Sequence, residues 1–180
     1  MLDDLGRRIR SLAPTPFLEK GSRALLFLNL HPRDLADAQL LDGGTVLARF
    51  ADRVVLEITE RASLEKIPDA SATIAALRAR NYRIAVDDLG SGYAGLNSFA
   101  LLEPEIVKLD MAIVRDVDTN KTKQKLMHSM VELCHDMNIQ VVAEGVETRA
   151  ERDKCVELNC DLLQGYHIAR PGIAFPSVNW

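Results

Sequence analysis

Six short apolar segments of the sequence each carry one polar residue near their C-terminal end. The segments are rich in Val, Ile and Leu and cover residues 25–30, 54–59, 83–88, 106–110, 140–145 and 161–166. The polar residues in them are Asn29, Glu57, Asp87, Lys108, Glu144 and Gln164. Since neighbouring side chains of a strand point to opposite faces, the flanking apolar residues place all six polar residues on one face. The pattern predicts amide, carboxylate and ammonium groups that meet at one end of a parallel sheet.

The carboxylates of this set require cationic partners. Burying several carboxylates together costs several kcal/mol each unless something cationic compensates them. Lys108 alone does not balance Glu57, Asp87, Asp88 and Glu144. Oxygen ligands from Asp, Glu and Asn suit Mg²⁺, Mn²⁺ or Ca²⁺, and two such ions typically activate water for attack on a phosphodiester. In this interpretation Lys108 holds the water or neutralises charge in the transition state.

Two simpler explanations apply to single features of the pattern. Any one of the polar residues taken alone is also typical of a strand end that meets solvent, and only the common phase of all six favours a site. The segment after Asp88 contains Gly90, Ser91 and Gly92, which allow positive φ. It is either a functional loop beside the metal site or a plain turn between a strand and a helix.

The segments between the strands have helical periodicity. Leu126, Met130, Leu133 and Met137 follow one another at steps of three and four residues, and Thr148 and Glu151 form a capping box. Helices are therefore expected at about 68–80, 121–137 and 148–158, each followed by an asparagine suited to the left-handed end of a helix: Asn81, Asn138 and Asn159.

Repeated strand–helix units form either an open doubly wound sheet or a closed barrel. No glycine-rich nucleotide turn follows the first strand, which weakens the case for the doubly wound sheet. Parallel strands covered on both faces also explain the continuous apolar runs. The expected fold is α/β, a (β/α) TIM-like barrel, and the chemistry of such barrels lies at the C-terminal ends of the strands.

Composition is that of an ordinary globular chain. Of 180 residues, 47% are hydrophobic and 27% charged, and 22 Lys+Arg against 26 Asp+Glu give a net charge of −4. This acidic balance argues against binding of long nucleic acid but not against a small phosphate ligand. Three cysteines without a CxxC spacing indicate neither a disulfide framework nor a zinc site. No apolar run reaches membrane-spanning length and no signal peptide opens the chain, so we expect a cytoplasmic protein without a membrane segment.

Taken together, the motifs resemble those of the EAL domain, the bacterial phosphodiesterase that linearises cyclic di-GMP. The resemblance runs from about Leu5 to Pro171. Its motifs are N-L-H at 29–31, E-I-T-E at 57–60, D-D-L-G-S-G at 87–92, K-L-D at 108–110, E-G-V-E at 144–147 and Q-G-Y at 164–166.

The resemblance implies a two-metal site that uses Mg²⁺ or Mn²⁺. Asn29, Glu57 and Asp87 would bind the first ion. Asp87 and Asp88 would serve the second. Lys108 would position the hydrolytic water, and the ligand and water shell would be completed by Glu144 and Gln164.

The resemblance also assigns residues around this site. Glu60 would brace the loop at 89–92, which in the family couples substrate binding, metal occupancy and dimerisation, and Arg170 would lie near the guanine-binding rim. Glu60 and Glu147 are equally well explained as surface carboxylates. His31, where the family has Ser, is interpreted as a structural substitution.

One departure from the family is serious. The name-giving Glu-Ala-Leu, whose glutamate is another ligand of the first metal, should precede Asn29, yet no E-x-L-x-R occurs among the 28 residues before it. We therefore expect a single EAL-type domain over residues 1–180 that lacks its first strands and keeps about six of eight βα units. Open edges at 25–30 and 161–166 would then favour self-association or a homodimer.

Two origins explain such a chain: a fragment of a longer enzyme, or a short form that lost catalysis. The fragment is favoured because the six remaining site positions are intact. The sequence leaves three functions open. In the first, the chain is part of a cyclic di-GMP phosphodiesterase that yields linear pGpG and is weak or inactive alone. In the second, it binds cyclic di-GMP or a protein without turnover, and in the third, it is a scaffold that recruits another chain through its open edges.

Overall fold

The fold is built on one parallel sheet of six strands. The computed structural model describes residues 2–20, 23–59, 67, 69–90, 99 and 101–178. All strand pairs are parallel, and each strand lies beside the next one in the chain. The strands are β1 (Leu26–Asn29), β2 (Val54–Thr59), β3 (Arg83–Leu89), β4 (Ile106–Leu109), β5 (Gln140–Ala143) and β6 (Leu162–Leu163).

Helices connect the strands, and three of them match the expected ranges to within two residues. Three short 3₁₀ helices lie between β1 and β2, at Pro32–Ala36, Ala38–Leu41 and Leu47–Arg53. The α-helices are α1 (Leu2–Leu12), α2 (Thr15–Lys20), α3 (Ala70–Arg78), α4 (Met111–Val114), α5 (Lys121–Asp136) and α6 (Arg149–Glu157).

The asparagine that follows each of α3, α5 and α6 has the left-handed conformation expected from the sequence. The φ angles of Asn81, Asn138 and Asn159 are 70°, 60° and 63°. In each case the next residue donates its N–H to the carbonyl five residues earlier, at 2.8–3.2 Å, which is the Schellman ending of a helix. These three turns deliver the chain into β3, β5 and β6.

The strands have apolar side chains on both faces. One face packs with the helices in the main core, which includes Leu56, Ile58 and Val86. The opposite face carries a separate small cluster, formed by Val55, Ala85, Ile106 and Val142 with Leu25, Phe27 and Leu162 against it. We call this second set the inner layer, because it lies on the concave face of the barrel-like sheet.

The spacing of apolar residues predicts helix α5 correctly, but most of the residues that show this spacing lie on the exposed side of the helix. Leu126, Leu133 and Met137 are about half exposed. The buried face of α5 consists of Met127, Val131 and Cys134. Two apolar stripes lie next to each other on this helix, and spacing alone does not tell which one faces the core.

The barrel is incomplete. In the part of the chain that the structure describes, β1 pairs only with β2 and β6 only with β5, so both edges of the sheet are open. The expected number of about six βα units is therefore confirmed. None of the described helices has the length and apolar character required to cross a membrane.

Candidate active site

The six polar residues predicted from the sequence follow the inner layer by two positions along each strand. Glu57 follows Val55 in this way, and Glu144 follows Val142 just beyond β5. Because the side chains of a strand alternate with a period of two, this step keeps a residue on the same face. We refer to Asn29, Glu57, Asp87, Lys108, Glu144 and Gln164 as the polar rim.

Lys108 lies at the centre of the polar rim. Its Nζ is 2.6 Å from Glu57 Oε1, 2.8 Å from Asp87 Oδ1 and 2.6 Å from Glu144 Oε1. The four side chains are between 5% and 13% exposed. Strands β2, β3 and β4 and the residue just after β5 thus bring one ammonium and three carboxylates into direct contact.

The charges of this group do not balance. Three carboxylates face one ammonium, and the surroundings are poorly solvated. Burial raises the pKa of Glu57, and it raises the pKa of Glu144 to about 7 despite the neighbouring ammonium. Burial alone would lower the pKa of Lys108, but its three carboxylate partners raise it, so the lysine stays charged. Negative charge is therefore in excess here.

A local irregularity of β3 places Asp88 beside this group. The register between β3 and β4 shifts between Val86 and Leu89, and Asp88 has φ of 60°. In a regular strand Asp87 and Asp88 would point to opposite faces, whereas a bulge redirects a side chain. Carboxylate oxygens of Asp87, Asp88 and Glu144 lie within 4.8 Å of one another.

The donor set fits a divalent cation. Glu57 Oε1 is buried and, although it is close to Lys108 Nζ, it has no partner of hydrogen-bond geometry among the described residues. Such an atom has capacity for another ligand. Together with the excess negative charge and the exclusively oxygen donors of the carboxylates, this favours Mg²⁺, Mn²⁺ or Ca²⁺.

Asn29 and Gln164 lie at the two ends of the polar rim. Asn29 pairs in register with Glu57, and both residues line a cavity of about 280 Å³ on the β1 side. Gln164 lines a second cavity, of about 410 Å³, together with Asp88 and Glu144. Both residues border the charged centre without a described contact to Lys108.

The loop after Asp88 is described only at its start. Gly90 has φ of 104°, a backbone conformation that residues with a side chain rarely adopt, so glycine is favoured there. Glu60, Ser91 and Gly92, to which the family resemblance assigned roles in or beside this loop, lie outside the described residues.

Glu147 and Arg170 lie outside the charged centre. Glu147 lines the 410 Å³ cavity, and its Oε1 is 2.6 Å from Arg115 Nη2. The Arg170 guanidinium stacks on the ring of Tyr166, 4.7 Å from its centroid. His31 has a local role, because its Nδ1 accepts a hydrogen bond from the Arg33 N–H at the start of a 3₁₀ helix.

Two residues of the 410 Å³ cavity had no role in the sequence interpretation. Asp110 lines the cavity and caps α4 by accepting the N–H of Ala112 at 2.8 Å. The exposed Tyr166 forms part of the same wall. A signal for Asp110 was present, since it follows β4 directly, as Glu144 follows β5.

The raised pKa of Glu144 predicts how the stability of the cation-free protein depends on pH. Between its usual value of 4.5 and about 7, this carboxyl binds a proton in the folded state that the unfolded state has released. Its contribution to the free energy of unfolding is thus complete below about pH 4.5 and is lost as the pH rises through 7.

This expectation is measured by urea unfolding in EDTA at several pH values. Wild type should lose stability relative to Glu144→Gln as the pH rises from about 5 to about 8, since the amide does not titrate. The exposed Glu157→Gln is the matched control and should follow wild type. A wild type that gained stability relative to Glu144→Gln over this range would contradict the placement of Glu144.

Comparison with known proteins agrees with this geometry. The sequence profile of the EAL domain matches residues 1–171. The chain belongs to the EAL domain family.

Two similar proteins are named as cyclic di-GMP phosphodiesterases, one of them as a probable one. The chain is 32% identical over 169 residues to the probable cyclic di-GMP phosphodiesterase PdeA of Escherichia coli K12, covering 91% of this chain and 23% of PdeA. It is 31% identical over 150 residues to the cyclic di-GMP phosphodiesterase RocR of Pseudomonas aeruginosa, covering 81% of this chain and 38% of RocR. The chain thus spans well under half the length of these relatives.

Solved structures show the same fold. A manganese and cyclic di-GMP complex of BlrP1 from Klebsiella pneumoniae superposes with a TM-score of 0.82 at 30% identity, over 94% of this chain and 45% of that one. A standalone EAL protein from Vibrio cholerae O395 with cyclic di-GMP bound gives 0.82 at 28% identity, over 97% of this chain and 76% of that one. These likenesses support the incomplete TIM-like barrel.

Proposed function

We propose that this chain carries the catalytic site of a metal-dependent phosphodiesterase that hydrolyses cyclic di-GMP to linear pGpG. The observation that carries the proposal is the buried contact of Lys108 with three carboxylates, with Asp88 beside them. The substrate is suggested by the BlrP1 and Vibrio cholerae structures with cyclic di-GMP bound, and the class of cation by the calcium and manganese in the BlrP1 complexes.

Four residues would hold the cations. Asn29, Glu57 and Asp87 would bind one ion, while Asp87 and Asp88 would serve a second. Mg²⁺ and Mn²⁺ both suit these oxygen donors. When bound, the ions would supply Lewis-acid polarisation of the phosphodiester and activation of water.

Lys108 and Glu144 would act on the reacting atoms. The Lys108 ammonium stays charged and, next to the phosphodiester, stabilises the negative charge that grows in the transition state. Glu144, with a pKa raised to about 7 by burial, is suited to accept a proton from the attacking water near neutral pH. Gln164 lines the 410 Å³ cavity, where its amide would contact the water shell.

The charge of this cavity makes substrate binding depend on the cations. Carboxylates of Asp88, Asp110, Glu144 and Glu147 line it, and a phosphodiester carries negative charge as well. Without divalent ions the substrate and the cavity would repel each other. Glu147 and Arg170 would contribute to the outer part of the substrate site.

Chromatography of the products from cyclic di-GMP tests this proposal. The chain should be assayed with Mn²⁺ both alone and fused to an added N-terminal segment that carries the Glu-x-Leu-x-Arg sequence expected of the family. We expect weak or absent turnover alone, formation of pGpG by the fusion, and none by the fusion with Asp87→Asn. A folded fusion that forms no pGpG would overturn the proposal.

The second candidate function, expected from the sequence, is binding of cyclic di-GMP without turnover. Calorimetry with cyclic di-GMP distinguishes the two functions. Tight binding that persists in EDTA supports a sensor, whereas binding only with Mn²⁺ supports the enzyme.

We also infer that the open edges at β1 and β6 favour association of two copies of the chain. Unpaired parallel edges are templates for pairing with another chain. Light scattering after size-exclusion chromatography should give about twice the monomer mass. A monomer at high concentration would contradict this inference.

A further inference from the structure

The loop that follows β5 carries Glu144 and is held on two sides. On the β6 side, Val146 donates its N–H to the Gln164 carbonyl at 3.1 Å and accepts the His167 N–H at 3.0 Å. Gly165 allows this close approach, since a Cβ there would lie 2.1 Å from the Val146 carbonyl oxygen. The loop therefore packs directly on the turn that bears Gln164.

On the other side the loop is held by Glu151, the third residue of α6. Its carboxylate is 3% exposed. One oxygen, Oε2, accepts the N–H groups of Glu147 at 2.9 Å and Thr148 at 3.1 Å. The other oxygen, Oε1, accepts the N–H of Asp116 at 3.1 Å and lies 3.6 Å from Arg115 Nη1.

Helix capping explains only part of this arrangement. A capping box needs the reciprocal bonds between Thr148 and Glu151, and both are present. The bonds from Glu147 and Asp116 are additional. Asp116 has φ of 57°, which directs its N–H to Glu151 from the segment after α4. Arg115 strengthens the link, because it also binds Glu147 at 2.6 Å.

We propose that Glu151 is a positioning residue, which fixes the Glu144 loop to the segment after α4 and so sets the place of the Glu144 carboxylate among the cation ligands. This inference rests on the proposed function. Glu151 itself does not contact the polar rim in the described structure. It acts through the backbone of residues 144–148, much as outer partners orient the ligands of metal sites.

Calorimetric titration of the 180-residue chain with MnCl₂ tests the inference through Glu151→Gln. Glutamine keeps one acceptor oxygen and replaces the other oxygen with an NH₂ donor. The substitution therefore removes the acceptor of the Asp116 N–H, or else the acceptor that the Glu147 and Thr148 N–H groups share. We expect the Kd for Mn²⁺ to rise by about 10–100-fold, as is typical when an outer partner is lost.

Thr148→Ala is the matched control, because it removes the capping hydroxyl of the same helix and leaves the Glu151 carboxylate in place. It should lower the urea midpoint about as much as Glu151→Gln and raise the Kd by less than about threefold, well below the effect of losing an outer partner. An equal loss of Mn²⁺ affinity in the two variants would show that Glu151 acts only as a helix cap and would overturn the inference.

Amide hydrogen exchange separates this inference from the proposed function. In Glu151→Gln the amide that loses its acceptor, either that of Asp116 or that of Glu147, should exchange at least about tenfold faster than in wild type and in Thr148→Ala, since it loses a protecting bond. If wild type bound no Mn²⁺, the proposed metal site would be wrong. The exchange rates of these amides would still show whether Glu151 holds the loop in place. Unchanged exchange at both amides would overturn its positioning role.

Discussion

Asp87→Asn is expected to weaken Mn²⁺ binding by about 100-fold or more, because losing even an outer partner of a metal typically costs 10–100-fold. Asp87 is the residue proposed to serve both ions. Its Oδ1 is 2.8 Å from Lys108 Nζ, and its carboxylate belongs to the group with Asp88 and Glu144. Calorimetric titration with MnCl₂ measures the effect.

The same substitution should leave the fold intact. Asparagine matches aspartate in size and removes one negative charge from a group in which three carboxylates face one ammonium. The free energy of unfolding in EDTA should therefore stay within about 1 kcal/mol of wild type or increase. The exposed Asp136→Asn is the control and should change neither quantity. Wild-type Mn²⁺ affinity in a folded Asp87→Asn would contradict the assignment of the site.

Lys108→Met is expected to lower the free energy of unfolding by about 3–5 kcal/mol at about pH 8 in EDTA, the usual cost of removing one partner of a buried ion pair. The substitution leaves the carboxylates of Glu57, Asp87 and Glu144 buried without their ammonium. Such a loss is a large part of the stability of an ordinary domain. Urea unfolding followed by circular dichroism measures it.

Two further readings test the cause of this loss. At about pH 6 the deficit should shrink, since burial has raised the pKa of Glu57 and Glu144 and both take up protons more readily than exposed glutamates. Mn²⁺ should raise the melting temperature of Lys108→Met more than that of wild type, because the cation replaces the ammonium. Lys125→Met, at an exposed position, is the control. A deficit below about 1 kcal/mol would contradict the buried contacts of Lys108.

The polar rim was predictable from the sequence because it rests on strand periodicity. Each rim residue follows an inner-layer position such as Val55 or Val142 by two residues, and that step is independent of tertiary structure. The helix ends were predictable for a similar reason. Asn81, Asn138 and Asn159 take a conformation that is a local property of asparagine.

The contacts within the site were not predictable, since they depend on the three-dimensional path of the chain. The bulge that brings Asp88 beside Asp87 arises from a register shift against β4, and strand alternation alone would have separated the two side chains. The role of Glu151 beyond its capping box depends on Asp116, which lies 35 residues away in sequence.

The buried face of α5 was missed for a different reason. Leu126 and Leu133 have the spacing of a core face and are exposed, while Met127 and Val131 beside them are buried. A helix with two adjacent apolar stripes satisfies the helical period on either one. The choice is made by the sheet on which the helix packs, and helix periodicity alone does not specify that packing.

Paramagnetic NMR shows whether the polar rim binds divalent cations. Addition of Mn²⁺ to the ¹⁵N-labelled chain broadens the amide signals nearest to the bound ion. We expect the first signals lost to be those of Asp88, Glu144, Gly145 and Gln164, and the same signals to persist in Asp87→Asn. Broadening centred on other acidic surfaces, such as those around Asp52 or Asp136, with the rim signals intact, would show that the polar rim does not form a metal site.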